Sequence, residues 1–187
     1  NVNQTLVIFS GLPGTGKTTL AKRLARELQV PYLGIDDVVG ELPENPNVQF
    51  WDSKVAILLG LAERQLELSL SVIVDSVFMN TDRHHAQSLA RKYNVRFRPI
   101  YTYVSDEDIW QERVIKRFED SAHNAADWKQ IERQRTHFLA WQFDTALFVD
   151  SVNSLEQNYA NVLTFVQKEE VDIRPLDDIE LTKGSYH

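Results

Sequence analysis

"FSGLPGTGKTTLAKRLARELQ", residues 9–29, sets three glycines and a lysine between an apolar run and a helical pattern. The run before it, Thr5–Phe9 (TLVIF), predicts a short buried strand. After it, Leu20, Leu24 and Leu28 recur at helical spacing, with Lys22, Arg23, Arg26 and Glu27 between them. A strand, then Gly11-x-x-x-x-Gly16-Lys17-Thr18, then a helix is the full setting of a Walker A phosphate loop. Glycine is needed because such a loop aims several backbone N–H groups at one anion, and a Cβ would block that path. The helix N-terminus adds partial positive charge at the same point. Gly11, Pro13, Gly14, Thr15, Gly16, Lys17, Thr18 and Thr19 are therefore the candidate nucleotide-binding residues. Lys17 is expected to reach the β- and γ-phosphates, and the Thr18 hydroxyl to ligate Mg²⁺. The competing reading, a glycine-rich turn and nothing more, leaves the lysine and threonine unexplained.

Composition bounds the rest. At 187 residues the chain is long enough for one domain with a real core. Its 43% apolar and 25% charged content is that of an ordinary globule. No apolar run approaches a membrane span and no secretory signal is visible, so no membrane partner is expected. The chain opens at Asn1, so further natural N-terminal residues are expected. The absence of cysteine excludes disulfides and thiolate metal sites, and fits a reducing, cytoplasmic setting. A net charge of −7 disfavours long nucleic acid, since the basic residues scatter apart from a local excess between Arg113 and Arg135.

Along the chain, strands alternate with helices. Pro31–Ile35 reads as a second strand ending at Asp36-Asp37, and Gly40–Asn47 as a loop by its prolines and asparagines. A long helix is predicted from Asp52 to about Leu70, with Val55, Leu58, Leu59, Ala62, Leu66 and Leu70 on one side. Ser71–Asp75 reads as a buried strand, and Thr81 or Asp82 as the cap of a helix to about Tyr93. Arg96–Val104 is a strand with Pro99 as its weak point. Ser105-x-x-Asp108 has the form of a capping box opening a helix to about Phe118. A helix over Trp128–Ala140, a strand at Ala146–Val149 and a helix near Leu155–Val166 complete the series. From Lys168 onward the chain is acidic without a clear period, expected to be an extension or frayed tail. Five strands alternating with helices predict an α/β fold with a parallel sheet flanked by helices on both faces.

In such sheets the ligand lies beyond the C-terminal strand ends, which selects among the acids. Asp75 closes the run SVIV and is placed as a Walker B acid holding Mg²⁺, against the alternative of a turn aspartate. Ser76 follows where many ATP-driven machines carry a glutamate, and no Asn-Lys-x-Asp guanine motif is present. Arg113 and Arg117 share a helix face leading into the polar segment Asp120–Asp127, and Arg133 and Arg135 lie beyond it. Arginines flanking such a segment suit a lid that neutralises transferring phosphate, against the alternative of a solvated basic face. Phe50 and Trp51 offer either a stacking platform or helix packing. His84, His85, His123 and His137 lack metal-ligand spacing, and Trp110, Trp128 and Trp141 read as core or lid-base residues.

On GLPGTGKTTLAKRLA, YLGIDDV, VIVDSVF and WQERVIKRF…IERQRTHF, the chain resembles the P-loop small-molecule and nucleotide kinases of the AAA_33 type. Zeta toxins, chloramphenicol phosphotransferase, gluconate kinase and polynucleotide kinase are similar. The resemblance covers about Thr5–Val166. It implies a three-layer P-loop NTPase fold, nucleoside-kinase-like, over residues 1–167, with a lid at about 117–128 and an extension at 168–187. It also implies ATP and Mg²⁺ as cofactors and a phosphate acceptor that is a small molecule or nucleotide-like, in a monomer or homodimer. The family's acceptor base falls on Asp36, and its magnesium or substrate acid on Asp75. Its lid arginines fall on Arg113 or Arg117, and less directly on Arg133 or Arg135. Strand alternation puts Asp36 and Asp37 on opposite faces, which leaves Asp36 for the acceptor and Asp37 as an N-cap. The expected activity is γ-phosphate transfer to a hydroxyl. The alternatives are a polynucleotide 5′-kinase and a non-catalytic, ATP-binding switch protein.

Overall fold

Thr5–Ser10 forms strand β1, and every residue of it is buried. Its side chains alternate between the two faces of a sheet. Leu6 and Ile8 join Leu58, Ala62, Ala86 and Ala90 on one side, while Val7 and Phe9 meet Leu20, Leu24, Val162 and Phe165 on the other. One strand therefore feeds two cores, which is the three-layer arrangement expected. The computed structural model describes residues 4–39, 50–121, 125–138, 141 and 146–171.

The remaining elements follow in order: α1 Lys17–Leu28, β2 Tyr32–Gly34, α2 Ile35–Val39, α3 Phe50–Glu67, β3 Val72–Asp75 and α4 Asn80–Lys92. Then come β4 Arg96–Tyr103, α5 Glu107–Asp120, α6 Trp128–His137, β5 Leu147–Asp150 and α7 Leu155–Gln167. The five strands form one parallel sheet in the order β2-β3-β1-β4-β5. Pro99 is tolerated in β4 because the ladder with β5 begins one residue later, at Ile100. Helix α1 buries Leu20, Ala21, Leu24 and Ala25. Truncating Leu24 to alanine is worth about 3 kcal/mol of stability by the usual cost of a buried leucine. No helix of the described residues is long and apolar enough to cross a membrane.

Several local expectations are corrected. The second strand ends at Gly34, and Ile35–Val39 is a short helix, so Asp36 and Asp37 are helical residues. Adjacent helical residues are turned by about 100°, not 180°, and the opposite-face argument does not hold for them. Nor is Asp37 an N-cap, since it lies inside α2. Helix α3 stops at Glu67, which leaves Leu70 exposed. Asp82 acts from within α4, accepting from the Met79 N–H at 2.9 Å, rather than as the cap itself. At α5 the N-cap is Asp106, whose carboxylate accepts from Ile109 N at 3.0 Å, one residue beyond the expected Ser105. The loop expected at 40–47, His123 and residues 172–187 of the expected extension lie outside the described residues. The start of that extension is anchored, for Arg98 donates to the carbonyls of Lys168 and Glu169.

Candidate active site

The loop between β1 and α1 is held from below. Gly11 has φ 138°, and a Cβ there would run into the Thr102 carbonyl oxygen. Thr15 is buried with its hydroxyl 2.7 Å from both the Leu12 carbonyl and the Thr102 hydroxyl. From the side, Trp110 of α5 donates its indole N–H to the Pro13 carbonyl at 2.9 Å. Gly14, at φ 82°, leaves the space that a Cβ would contest with Val114 and Trp110. Gly16 is the N-cap of α1 and offers no side chain, and the first turn carries no acid. The first-turn amides of α1 thus have no side-chain cap and face an open cleft.

That cleft has a volume of about 710 Å³. Its floor is the loop with Lys17, Thr18 and Thr19, and its walls come from Lys22, Tyr32, α2, the end of β3, α5 and α6. Lys17 is half-buried and donates to the Leu12 carbonyl at 3.2 Å. Burial lowers its pKa, and the carboxylates of Asp75 and Asp36 counter that effect. Thr18 donates to Asp75 Oδ2 at 2.6 Å, and the Tyr32 hydroxyl donates to the same oxygen at 2.9 Å. Burial, followed by the Asp75 charge, pushes the Tyr32 pKa well above that of a free phenol.

Opposite the loop, two ion pairs border the cleft. Lys22 lies 3.0 Å from Asp37, and Arg117 lies 3.9 Å from Asp36. Both acids are exposed and both line the cavity. Arg113 also lines it, fixed by donating to the Ser151 hydroxyl at 2.9 Å and carbonyl at 3.0 Å. Arg133 and Arg135 are not brought to the cleft. Arg133 donates back to the Lys129 carbonyl, while Arg135 pairs with Glu107 at 3.1 Å and covers the Trp110 ring. Of the lid segment, Ala125 and Ala126 form part of the cleft wall, and 122–124 lie outside the described residues. Phe50 and Trp51 open α3, but their side chains are outside what is described.

The lining residues with polar side chains that escaped the sequence reading are Lys22, Tyr32, Ser76 as a site residue, and Gln134. Lys22 had a signal, since it stands four residues after Thr18 on one helix face. Gln134 is the α6 residue facing the cleft, so its neighbours Arg133 and Arg135 are turned away by about 100° each. The Ser76 hydroxyl is 1% exposed, lines the cleft and has no hydrogen-bond partner among the described residues.

The donors fit a magnesium ion, the metal this fold implies. Thr18 and Asp75 present adjacent hard oxygen atoms at the phosphate loop, and Mg²⁺ in such sites needs only one or two protein ligands besides phosphate and water. Among the described residues there is no cluster of three His, Cys, Asp or Glu able to hold a metal ion.

A glycine loop at the C-terminal edge of the central strand, in a five-stranded parallel sheet with this order, defines a P-loop kinase fold. The chain belongs to the AAA_33 family, an AAA domain, which matches residues 6–140. No curated protein matches the sequence. Among solved structures, a presumed kinase from Chloroflexus aurantiacus is similar at 22% identity and TM-score 0.67, over 88% of this chain and 100% of that one. A gluconokinase from Sinorhizobium meliloti is similar at 14% identity and TM-score 0.64, over 89% and 93%. The Mycobacterium tuberculosis APS kinase CysC, in complex with AMPPNP and APS, is similar at 17% identity and TM-score 0.61, over 89% and 99%. At these identities the likeness concerns the fold.

Proposed function

We propose that the protein is an ATP- and Mg²⁺-dependent phosphotransferase that moves the γ-phosphate to a hydroxyl of a small or nucleotide-like acceptor. One observation carries this reading: a single cleft joins the phosphate loop and the Thr18–Asp75 pair to the exposed carboxylate of Asp36. A site that only held nucleotide would need the first two and not the third.

The loop amides and Lys17 hold the triphosphate. Thr18 and Asp75 hold the magnesium ion, which when bound supplies neutralisation of phosphate charge. The acceptor lies between β2 and α6, where Asp36 takes the proton of its hydroxyl. The acceptor oxygen forms a bond to the γ-phosphorus, the bond from that phosphorus to the β-bridging oxygen breaks, and ADP leaves. Lys17 and Arg117, both on the cleft, neutralise the oxygens that gain charge. Asp36 is preferred to Asp37 as the base because Asp37 is held at 3.0 Å by Lys22, whereas the Arg117 contact to Asp36 is longer. Such a base contributes roughly 10²–10⁴-fold to the rate.

The test is a screen of hydroxylic acceptors for ADP release, run beside calorimetric titration with ATP. The reading expects ATP binding, release that depends on an acceptor, and loss of that release in Asp36→Asn with ATP binding kept. Binding of ATP with no phosphorylated acceptor across the screen would favour the switch protein instead.

A further inference from the structure

Tyr32 and Gly34 are two residues apart on β2 and share one face of the strand. In register, Tyr32 lies beside Ile73 and Gly34 beside Asp75. The tyrosine side chain runs forward along the strand, over Gly34, to put its hydroxyl on Asp75 Oδ2 at 2.9 Å. A Cβ on Gly34 would meet the Tyr32 hydroxyl directly and come within 2.9 Å of Cζ. Gly34 does not have a left-handed φ, so here glycine serves space and not conformation. The Tyr32 ring also carries Lys22 Nζ at 5.2 Å from its centroid.

Asp75 is 4% exposed, and a buried carboxylate needs its hydrogen bonds. Two of its donors, Thr18 and Tyr32, share the same oxygen. Thr18 ligates a cation through its oxygen lone pairs and keeps its O–H for Asp75, so that oxygen has a single donor hydrogen to give the carboxylate. We propose that Tyr32 is the positioning residue of Asp75. Its hydroxyl is the second donor beside Thr18 and keeps the carboxylate turned toward the loop, where the cation is held. The inference rests on the assignment of Thr18 and Asp75 to magnesium made above.

The test is calorimetric titration of AMPPNP with and without Mg²⁺ on the parent, Tyr32→Phe, Gly34→Ala and Thr18→Ala. Tyr32→Phe keeps the ring and the Lys22 contact and removes only the donor. It should lose roughly tenfold of the affinity gained on adding Mg²⁺, with the metal-free affinity unchanged. Gly34→Ala displaces the hydroxyl while keeping the tyrosine, and should lose the same gain. That variant carries the test alone if Tyr32→Phe does not fold. A parent-like magnesium gain in Tyr32→Phe beside a lost gain in Thr18→Ala overturns the proposal and spares the metal site. Equal loss in the metal-free and Mg²⁺ titrations overturns it too, because Tyr32 would then support the nucleotide pocket in general. A parent-like gain in Thr18→Ala overturns the metal assignment itself, and the role of Tyr32 with it.

Discussion

Lys17 and Arg98 are both desolvated cations belonging to the central part of the sheet, and they serve opposite ends. Lys17 stands at the C-terminal edge, above β1, where the chain opens into the cleft. Arg98 is 2% exposed in β4, paired in register with Val7 of β1. Burial lowers the pKa of each, but the second influence differs. For Lys17 it is the Asp75 carboxylate, which restores the charge, and for Arg98 it is the charge of Arg96, which opposes it further. Arg98 directs Nη1 to the carbonyl of Phe97 and Nη2 to those of Lys168 and Glu169, and lies 6.0 Å from the Phe165 ring centroid. It ties the end of α7 to the sheet. Lys17 has one backbone bond and an open cavity. The cation committed to its own chain is structural, and the one kept beside acids and open space is the one that the proposed function assigns to a ligand.

The largest effect separates them on function. Lys17→Ala should lower transfer by roughly 10³-fold or more, as loss of a preorganised charge on transferring phosphate does. Its melting temperature should hold or rise. The sign follows from the lowered pKa: between the folded and unfolded values the unfolded chain binds more protons, so Lys17 costs the folded state stability in full below the folded pKa, and that cost fades as pH rises from the folded to the unfolded value. Melting curves against pH, with and without the substitution, check this. A destabilised Lys17→Ala at neutral pH would put Lys17 in the same class as Arg98.

Next in size is the pair of acids. Asp36→Asn should cut transfer by roughly a hundredfold with ATP still bound, since the amide keeps the shape and cannot take the proton. Asp37→Asn should retain most activity, losing only the Lys22 pair at a half-exposed site. The reverse order, measured on one acceptor, would move the base to Asp37. Smaller again is Arg98→Met, expected to cost about 1–3 kcal/mol of stability by leaving the Lys168 and Glu169 carbonyls unpaired. Chemical denaturation reads that change, and ATP affinity should stay at the parent's value. Loss of ATP affinity there would erase the contrast.

The part of this site that was legible in the sequence is the part built from local signals. Residues 9–29 carry strand, glycines and helical period in one stretch, and Asp75 ends an apolar run. The boundary of β2 was not legible, because the one glycine of YLGIDDVV, Gly34, fits the interior of a strand as well as its end, and five residues are too few to tell a helix from a strand by period. Arg133 and Arg135 were nominated by charge and proximity, and which residue of α6 faces the cleft depends on how that helix is rolled by packing. Trp110 against Trp128, edge to face at 5.4 Å, and Arg135 on Glu107 set that roll. Tyr32 could not be found because its partner is 43 residues away and the route to it exists only over Gly34.

The smallest predicted effect tests whether the loop is as rigid as its glycines and buttresses imply. Trp110 supports it twice, by donating to the Pro13 carbonyl and by filling the space beside Gly14. Trp110→Phe keeps an apolar ring beside the loop and removes the donor. A single such hydrogen bond is worth about 1 kcal/mol, so ATP affinity should fall roughly fivefold, with a melting temperature lowered by no more than a few degrees. Gly14→Ala should cost more, because it adds a clash with Val114 to the strain of φ 82°. Unlike Lys17, neither residue supplies charge, so both losses should persist at high salt, where a purely electrostatic contribution shrinks. Calorimetric titration of ATP at low and high salt separates the two. If the Trp110→Phe deficit vanished with salt, the buttress would be acting through the field at the phosphate loop and not through its shape.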